Sequence, residues 1–201
     1  MTPQDALAAL DAAPANLDAL AKSWRGDDLS QRITLADSLW QSGRADARLC
    51  AAKLLTQARL RPDDAEVWAL IASWPGQCDD LALSDAVCVA GQKRLVWAPS
   101  RLDEVEIWTT SDHMWTRRAA LMMTLPWTKQ NDPKPEEEAV RDRVLTWAGF
   151  LAPDKDFTLQ KAIARWLREL SKHDIPRVQV FLEEFGDVMN KAARKEASVH
   201  L

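Results

Sequence analysis

SDHMWTRRAALMMTL, residues 111–125, is the stretch on which the reading of the fold turns. Placed at 100° per residue it is apolar nearly all round, interrupted by two adjacent arginines. Arg117 falls beside Thr124 on a polar strip, whereas Arg118 falls between Met122 and Leu125, among apolar neighbours. A guanidinium keeps its proton inside a protein, so Arg118 needs an anionic partner there, either a carboxylate or a phosphate. The helix is expected to begin at Asp112 and to stop at Pro126.

The same local pattern returns along the chain. A charged residue followed by small and aliphatic residues stands at Arg48, Asp85, Arg118, Lys161 and Lys195, at intervals of 37, 33, 43 and 34 residues. That is the period of paired-helix solenoids such as HEAT repeats, and the longest interval contains the polar stretch NDPKPEEE, residues 131–138, where an insertion is easily tolerated. The fold class that follows is all-α: a superhelical solenoid of antiparallel helix pairs, HEAT-like or ARM-type, forming one domain over residues 1–201. In a solenoid the same position of each repeat lines the same surface, usually a concave one. The row reads Arg, Asp, Arg, Lys, Lys.

Local signals divide the rest into short helices with short connections. Thr2-Pro3 opens a first helix through about Ala12, and Pro14 with Asn16 leads into a second that ends near Arg25-Gly26. Asp27 or Asp28 caps a third that stops at Gly43; a fourth is expected from Ala45 to Arg59. Asp63 with Glu66 has the spacing of a capping box and starts a helix ending at Trp74-Pro75-Gly76. Further helices are expected from Asp79 to Gly91, Ser100 to Thr110, after NDPKPEEE to Gly149, Asp156 to Lys172, Pro176 to Gly186 and Asn190 to His200. Nothing alternates with period two over five residues, so no strand is expected.

Composition excludes several function classes. The 201 residues include ten Trp and no Tyr, and the formal net charge is −4, so bulk basicity does not point to nucleic acid. Anion binding must come from local placement. The amino terminus lacks a basic segment before an apolar one, and no apolar run is long enough to span a bilayer. Cys50, Cys78 and Cys88 lack paired spacing, and His113, His173 and His200 are scattered. Reduced thiols, a cytoplasmic location and neither metal nor cofactor are the expectations.

Two features carry the chemistry. Asp85 has Leu81, Ala82, Cys88 and Val89 at i−4, i−3, i+3 and i+4, which puts a carboxylate in an apolar face. It is either an ion-pair partner of Arg118 or Arg48 between neighbouring repeats, or a carboxylate held to stabilise developing positive charge. Lys161, Arg165, Arg168 and Lys172 are spaced 4, 3 and 4 and form one basic stripe, with Glu169 and Asp156 off its centre. Such a stripe is either a solvated face or a track for a nucleic-acid backbone, to which Arg44, Arg48 and Arg59 add a weaker counterpart. Trp24, Trp40, Trp68, Trp108, Trp115, Trp147 and Trp166 read as packing residues.

LWQSGRADARLCAAKLL, SDHMWTRRAALMMTL, FTLQKAIARWLRELSK and KAARKEASVHL resemble the signature segments of the AlkD-type DNA alkylation repair proteins, in the same order and near the same spacing from about Leu17 to the carboxyl terminus. Those are HEAT-like-repeat DNA glycosylases that remove N3- and N7-alkylated purines from duplex DNA held on a basic concave surface. The resemblance implies Asp85 as the catalytic carboxylate and Arg118 as a DNA-contacting arginine; Lys161, Arg165 and Arg168 of the stripe, with Arg48 and Lys195 of the repeat register, are expected as further DNA contacts. A fixed carboxylate suits this chemistry, because cleavage of the C–N bond builds oxocarbenium character. The sequence departs from the family at Leu81, where the family has Trp, and at Ala164-Arg165, where the family has Gly-Trp. Residues 12–16 also stand where family members carry an additional helical segment. Excision of alkylated purines, non-catalytic binding of DNA or of unusual DNA structures, and a helical scaffold for a protein partner are the three functions left open.

Overall fold

Helix starts follow the local signals closely. A computed structural model describes residues 1–13 and 16–201, so the expected bridge over residues 12–16 falls partly outside the described residues. At the first helix, α1 (Pro3–Ala12), the Thr2 hydroxyl accepts from the Asp5 amide at 3.2 Å while the Asp5 carboxylate accepts from the Thr2 amide at 3.3 Å. These two bonds satisfy backbone donors that the first turn cannot pair internally. After α2 (Leu17–Ser23), the same device recurs at α3 (Leu29–Gln41), whose Asp28 carboxylate accepts from the Gln31 amide at 2.9 Å. Gly43 then turns the chain with a φ of 72°, a region that a side chain disfavours.

Helix ends follow tertiary partners instead. The fourth helix, α4 (Ala45–Leu54), stops five residues before the expected Arg59. Its last carbonyls and the following loop are captured by arginines from elsewhere in the same unit. Arg25 donates to the Lys53 carbonyl at 2.6 Å, and Arg94 donates to the Ala58 carbonyl at 3.1 Å and to that of Gln57. The expected capping box of Asp63 and Glu66 is absent: α5 (Ala65–Ala72) is capped by Asp64 without a side-chain bond, because that carboxylate meets Arg94 at 2.8 Å. The next helix, α6 (Leu81–Trp97), runs six residues past the expected stop at Gly91, which it carries inside as a buried residue. The added turns place Arg94, 0% exposed, against Asp64, which is 4% exposed.

The remaining helices are α7 (Leu102–Ile107), α8 (Met114–Met122), α9 (Pro135–Leu151), α10 (Phe157–Ser171), α11 (Ile175–Phe185) and α12 (Lys191–Ala197). A 3-10 segment, Leu125–Lys129, takes Pro126 into its first turn, so α8 ends before the proline rather than at it. The acids of NDPKPEEE fill the first turn of α9 as expected, and the Glu137 carboxylate accepts from the Lys134 amide at 2.9 Å. Asp156, Asp174 and Asn190 cap α10, α11 and α12 with side-chain bonds. Among the described residues all regular structure is helical.

The chain divides into two compact units, Met1–Pro99 with α1 to α6 and Ser100–Leu201 with α7 to α12. In the first, α4 packs against α2, α3 and α6, and α5 packs on α6. Its centre is a stack of Trp40 on Trp74 with ring centroids 4.4 Å apart and planes 10° apart, both rings fully buried. In the second, α10 packs against α8, α11 and α12, and α9 packs against α8 and α11. Trp166 is fully buried there, and its indole donates to the Thr124 hydroxyl at 3.1 Å. Trp24, Trp68 and Trp147 are also buried as expected, whereas Trp108 and Trp115 stay half-exposed at the ends of their short helices.

Candidate nucleic-acid interface

The repeat register maps onto the structure as a rule about helices. Arg48, Asp85, Arg118, Lys161 and Lys195 lie on α4, α6, α8, α10 and α12, every second helix of the chain. Counted from the first residue of each, Arg48 is the fourth and the other four are the fifth. Equal placement on alternate helices is what a paired-helix repeat requires. Within each unit these helices are also neighbours: α4 packs on α6, α8 on α10, and α10 on α12.

Their surroundings differ. Arg48 is half-buried, its Nε donates to the Trp40 carbonyl at 3.2 Å, and its guanidinium lies 5.3 Å from the centroid of the Trp40 ring. It therefore covers the Trp40–Trp74 stack, an internal use not apparent from its place in the register. Asp85 is half-buried on α6. The apolar face expected around it is at the surface: Leu81 is 50% exposed, Val89 is 43% exposed and Ala82 is exposed, while Cys88 is buried. Leu81, one turn before Asp85, thus presents an aliphatic side chain beside the carboxylate.

Arg118 is 3% exposed, with its guanidinium 5.9 Å from the centroid of the half-exposed Trp115 ring. The apolar setting expected for it is present. Arg117 takes the polar strip as expected, donating to the Ser111 carbonyl at 2.7 Å and pairing with Asp154 at 3.0 Å, which fixes the start of α8.

The stripe on α10 is not uniform. Lys161 and Arg165 are exposed one turn apart, and the Lys161 ammonium sits 4.5 Å from the ring centroid of Phe157, itself 56% exposed. Arg168 pairs with Glu196 of α12 at 2.8 Å and approaches Glu169 at 3.7 Å. Lys172 pairs with Glu169 at 2.9 Å, and that bond holds the Glu169 carboxyl below the usual glutamate range. The expectation of a single-signed stripe is corrected: Glu169, off the centre of the wheel, reaches Lys172 across one turn and also its neighbour Arg168. Lys195 on α12 is exposed.

Two of the most deeply buried arginines escaped the sequence reading. Arg94 sits in the apolar register of Val87, Ala90, Gly91 and Leu95, and is fully buried against Asp64 and two carbonyls. Arg141, 1% exposed, sits in the register of Val144, Ala148 and Leu151. Its Nε donates to the Trp127 carbonyl at 2.8 Å, and its other nitrogens reach the Gln130 carbonyl at 2.6 Å and Asp174 at 3.4 Å. The signal was available, because an arginine in an apolar register had already singled out Arg118. These three arginines are buried, and so is Arg32 in the register of Leu35, Ala36 and Leu39 on α3.

Reactive groups of other kinds are sparse. Burial pushes the Cys50 thiol up to about 12, so it is an inert packing group. Among the described residues no cluster of three His, Cys, Asp or Glu side chains could hold a metal ion, and no helix is long and apolar enough to cross a membrane.

Residues 9–201 match the family described as DNA alkylation repair enzyme. Comparison with curated proteins finds no match. Among solved structures the chain is similar to AlkD2 from Streptococcus mutans, with a TM-score of 0.76 and 18% identity over 100% of this chain and 99% of that one. It is similar to smu.31 from Streptococcus mutans UA159, with a TM-score of 0.74 and 18% identity over 99% and 98% of the two chains. A structure described as a predicted DNA alkylation repair enzyme from Enterococcus faecalis gives a TM-score of 0.75 and 21% identity over 94% and 85%. At these identities the likeness is one of fold.

Proposed function

The chain belongs to the family of DNA alkylation repair enzymes, and on that premise we propose that it binds duplex DNA through Lys161, Arg165 and Lys195, on the exposed faces of α10 and α12. The observation that carries this reading is the Lys161–Arg165 pair, two exposed cations one turn apart on a long helix of a chain whose net charge is negative. Each cation at a phosphate displaces condensed counterions, so a few well-placed side chains suffice for binding that depends steeply on salt. Arg48 and Arg168, engaged by Trp40 and Glu196, contribute less, and Arg118 contributes its charge from beneath the surface.

At Asp85 the proposed chemistry is electrostatic. A lesion that is already cationic leaves readily, and a carboxylate beside the sugar stabilises the oxocarbenium character that develops. Asp85 is half-buried on α6, so part of its side chain meets the surface. Incubation with methylated duplex tests this directly: release of 7-methylguanine or 3-methyladenine, abolished in Asp85→Asn, is the expected result. Release undiminished by that substitution would remove Asp85 from the mechanism.

The Leu81 side chain supports a second reading. A half-exposed leucine one turn before the carboxylate lacks the π-face that an aromatic residue would offer a cationic base. Binding of duplex without release of either base would identify a member of the family that recognises DNA and leaves the glycosidic bond intact.

A further inference from the structure

The second unit carries a surface unlike the one just described. Two grooves run on either side of α9, one of about 460 Å³ against α11 and one of about 590 Å³ against α7, and Thr146 lines both. Their floors are apolar. Val180 is 61% exposed in the first groove, and Ile107 and Phe150 are 70% and 64% exposed in the second. Isolated exposed aliphatics are ordinary, but three large ones gathered along two adjoining grooves mark a surface built to be covered.

The ridge between the grooves fits a helical occupant. Asp142, Thr146 and Phe150 are exposed at i, i+4 and i+8 of α9, and the small Thr146 at the centre permits close approach. Phe185 closes the end of the first groove by resting on Gly149, where an added Cβ would lie 2.7 Å from the ring.

Charge selects the occupant. The grooves are lined by four carboxylates, Asp103, Glu106, Asp142 and Glu184, and by one cation, Arg177. Arg177 is held by Asp142 and Asp174, each at 2.7 Å, and the nearby Arg143 is held by Asp103 at 2.8 Å and by Glu106. The two arginines offset only part of the four carboxylates, and the acidity that remains repels a nucleic acid and complements lysine and arginine.

We propose that the α7–α9–α11 face is a docking site for a partner protein, which presents an amphipathic helix with an apolar strip flanked by basic side chains. Apolar residues of the helix fill the grooves beside Ile107, Phe150 and Val180, and its basic residues meet Asp103, Asp142 and Glu184. The site is independent of DNA binding through α10 and α12.

A synthetic helical peptide with a leucine strip flanked by lysines tests this, alongside a counterpart carrying glutamate at every lysine. Both are labelled and titrated with the full chain by fluorescence anisotropy. The lysine peptide is expected to bind saturably, and the glutamate peptide at least about tenfold more weakly. The double substitution Phe150→Ser, Val180→Ser weakens the lysine peptide by about tenfold or more and leaves both the thermal midpoint and duplex binding unchanged. Glu184→Lys with Asp103→Lys reverses the preference between the two peptides. Equal binding of both peptides, binding of neither, or binding that survives the serine substitutions would overturn the proposal. So would sedimentation showing that this face joins two copies of the chain.

Discussion

Arg141 in α9 and the Lys161–Arg165 pair on α10 belong to the same unit, carry the same sign of charge and serve opposite ends. Arg141 is 1% exposed and holds the Trp127 and Gln130 carbonyls and Asp174, so its charge is answered inside the protein. Lys161 and Arg165 stand at the surface, where solvent or a polyanion can reach them. Arg94 in the first unit repeats the internal pattern, holding two carbonyls and Asp64. Position along a helix separates the two settings: an arginine in apolar register organises loops, and a cation opposite that register stands at the surface.

Removing the internal arginines should have the largest effect. Arg141→Ala strips the Trp127 and Gln130 carbonyls of their donor but leaves Asp174 its bond to Arg177, and should cost about 1–3 kcal/mol. Arg94→Ala removes the guanidinium that holds the buried Asp64 carboxylate and two carbonyls, with an expected cost of about 3–5 kcal/mol. In a chain of this size that lowers the thermal midpoint by roughly 10 °C, measurable by circular dichroism. Loss of less than about 1 kcal/mol would break the distinction between internal and open cations.

Arg168 is the intermediate case, half-exposed and bridged to Glu196. Arg168→Ala should cost about 0.2–1 kcal/mol in stability and change the salt dependence of duplex binding less than Lys161→Ala does. Equal effects on the salt slope would show that DNA competes successfully with Glu196 for the guanidinium.

Acidification supplies the smallest effect. Arg143 and then Trp147 hold the Glu106 carboxyl below the usual glutamate range. A depressed folded value contributes stability above the unfolded value and loses it as pH falls through the folded one. Fluorescence of Trp147, whose indole donates to Glu106 at 2.9 Å, should therefore change below the ordinary glutamate range. Glu106→Gln should flatten that change.

How much of this was legible in the sequence depended on whether the cause was local. Caps at Thr2, Asp28, Asp156 and Asn190 act over two or three residues, and those helix starts were readable. The ends of α4 and α6 were not, because Arg25 and Arg94 act there by joining residues 28 and more positions apart. The repeat register was readable and falls on alternate helices. Which cations of the register and of the α10 stripe are engaged was not, since Arg48 is claimed by Trp40 and Arg168 by Glu196, 28 residues away. Partner choice among surface charges is set by packing, and no spacing rule within one helix contains it.

The account rests most heavily on the exposed end of the α10 stripe, and the salt dependence of duplex binding tests it directly. Plain duplex titrated at several salt concentrations should give a steep linear dependence of log affinity on log salt. In the double substitution Lys161→Ala, Arg165→Ala the slope should fall by about two, with the thermal midpoint within about 2 °C of the parent. An unchanged slope, or no duplex binding by the parent even at low salt, would contradict it.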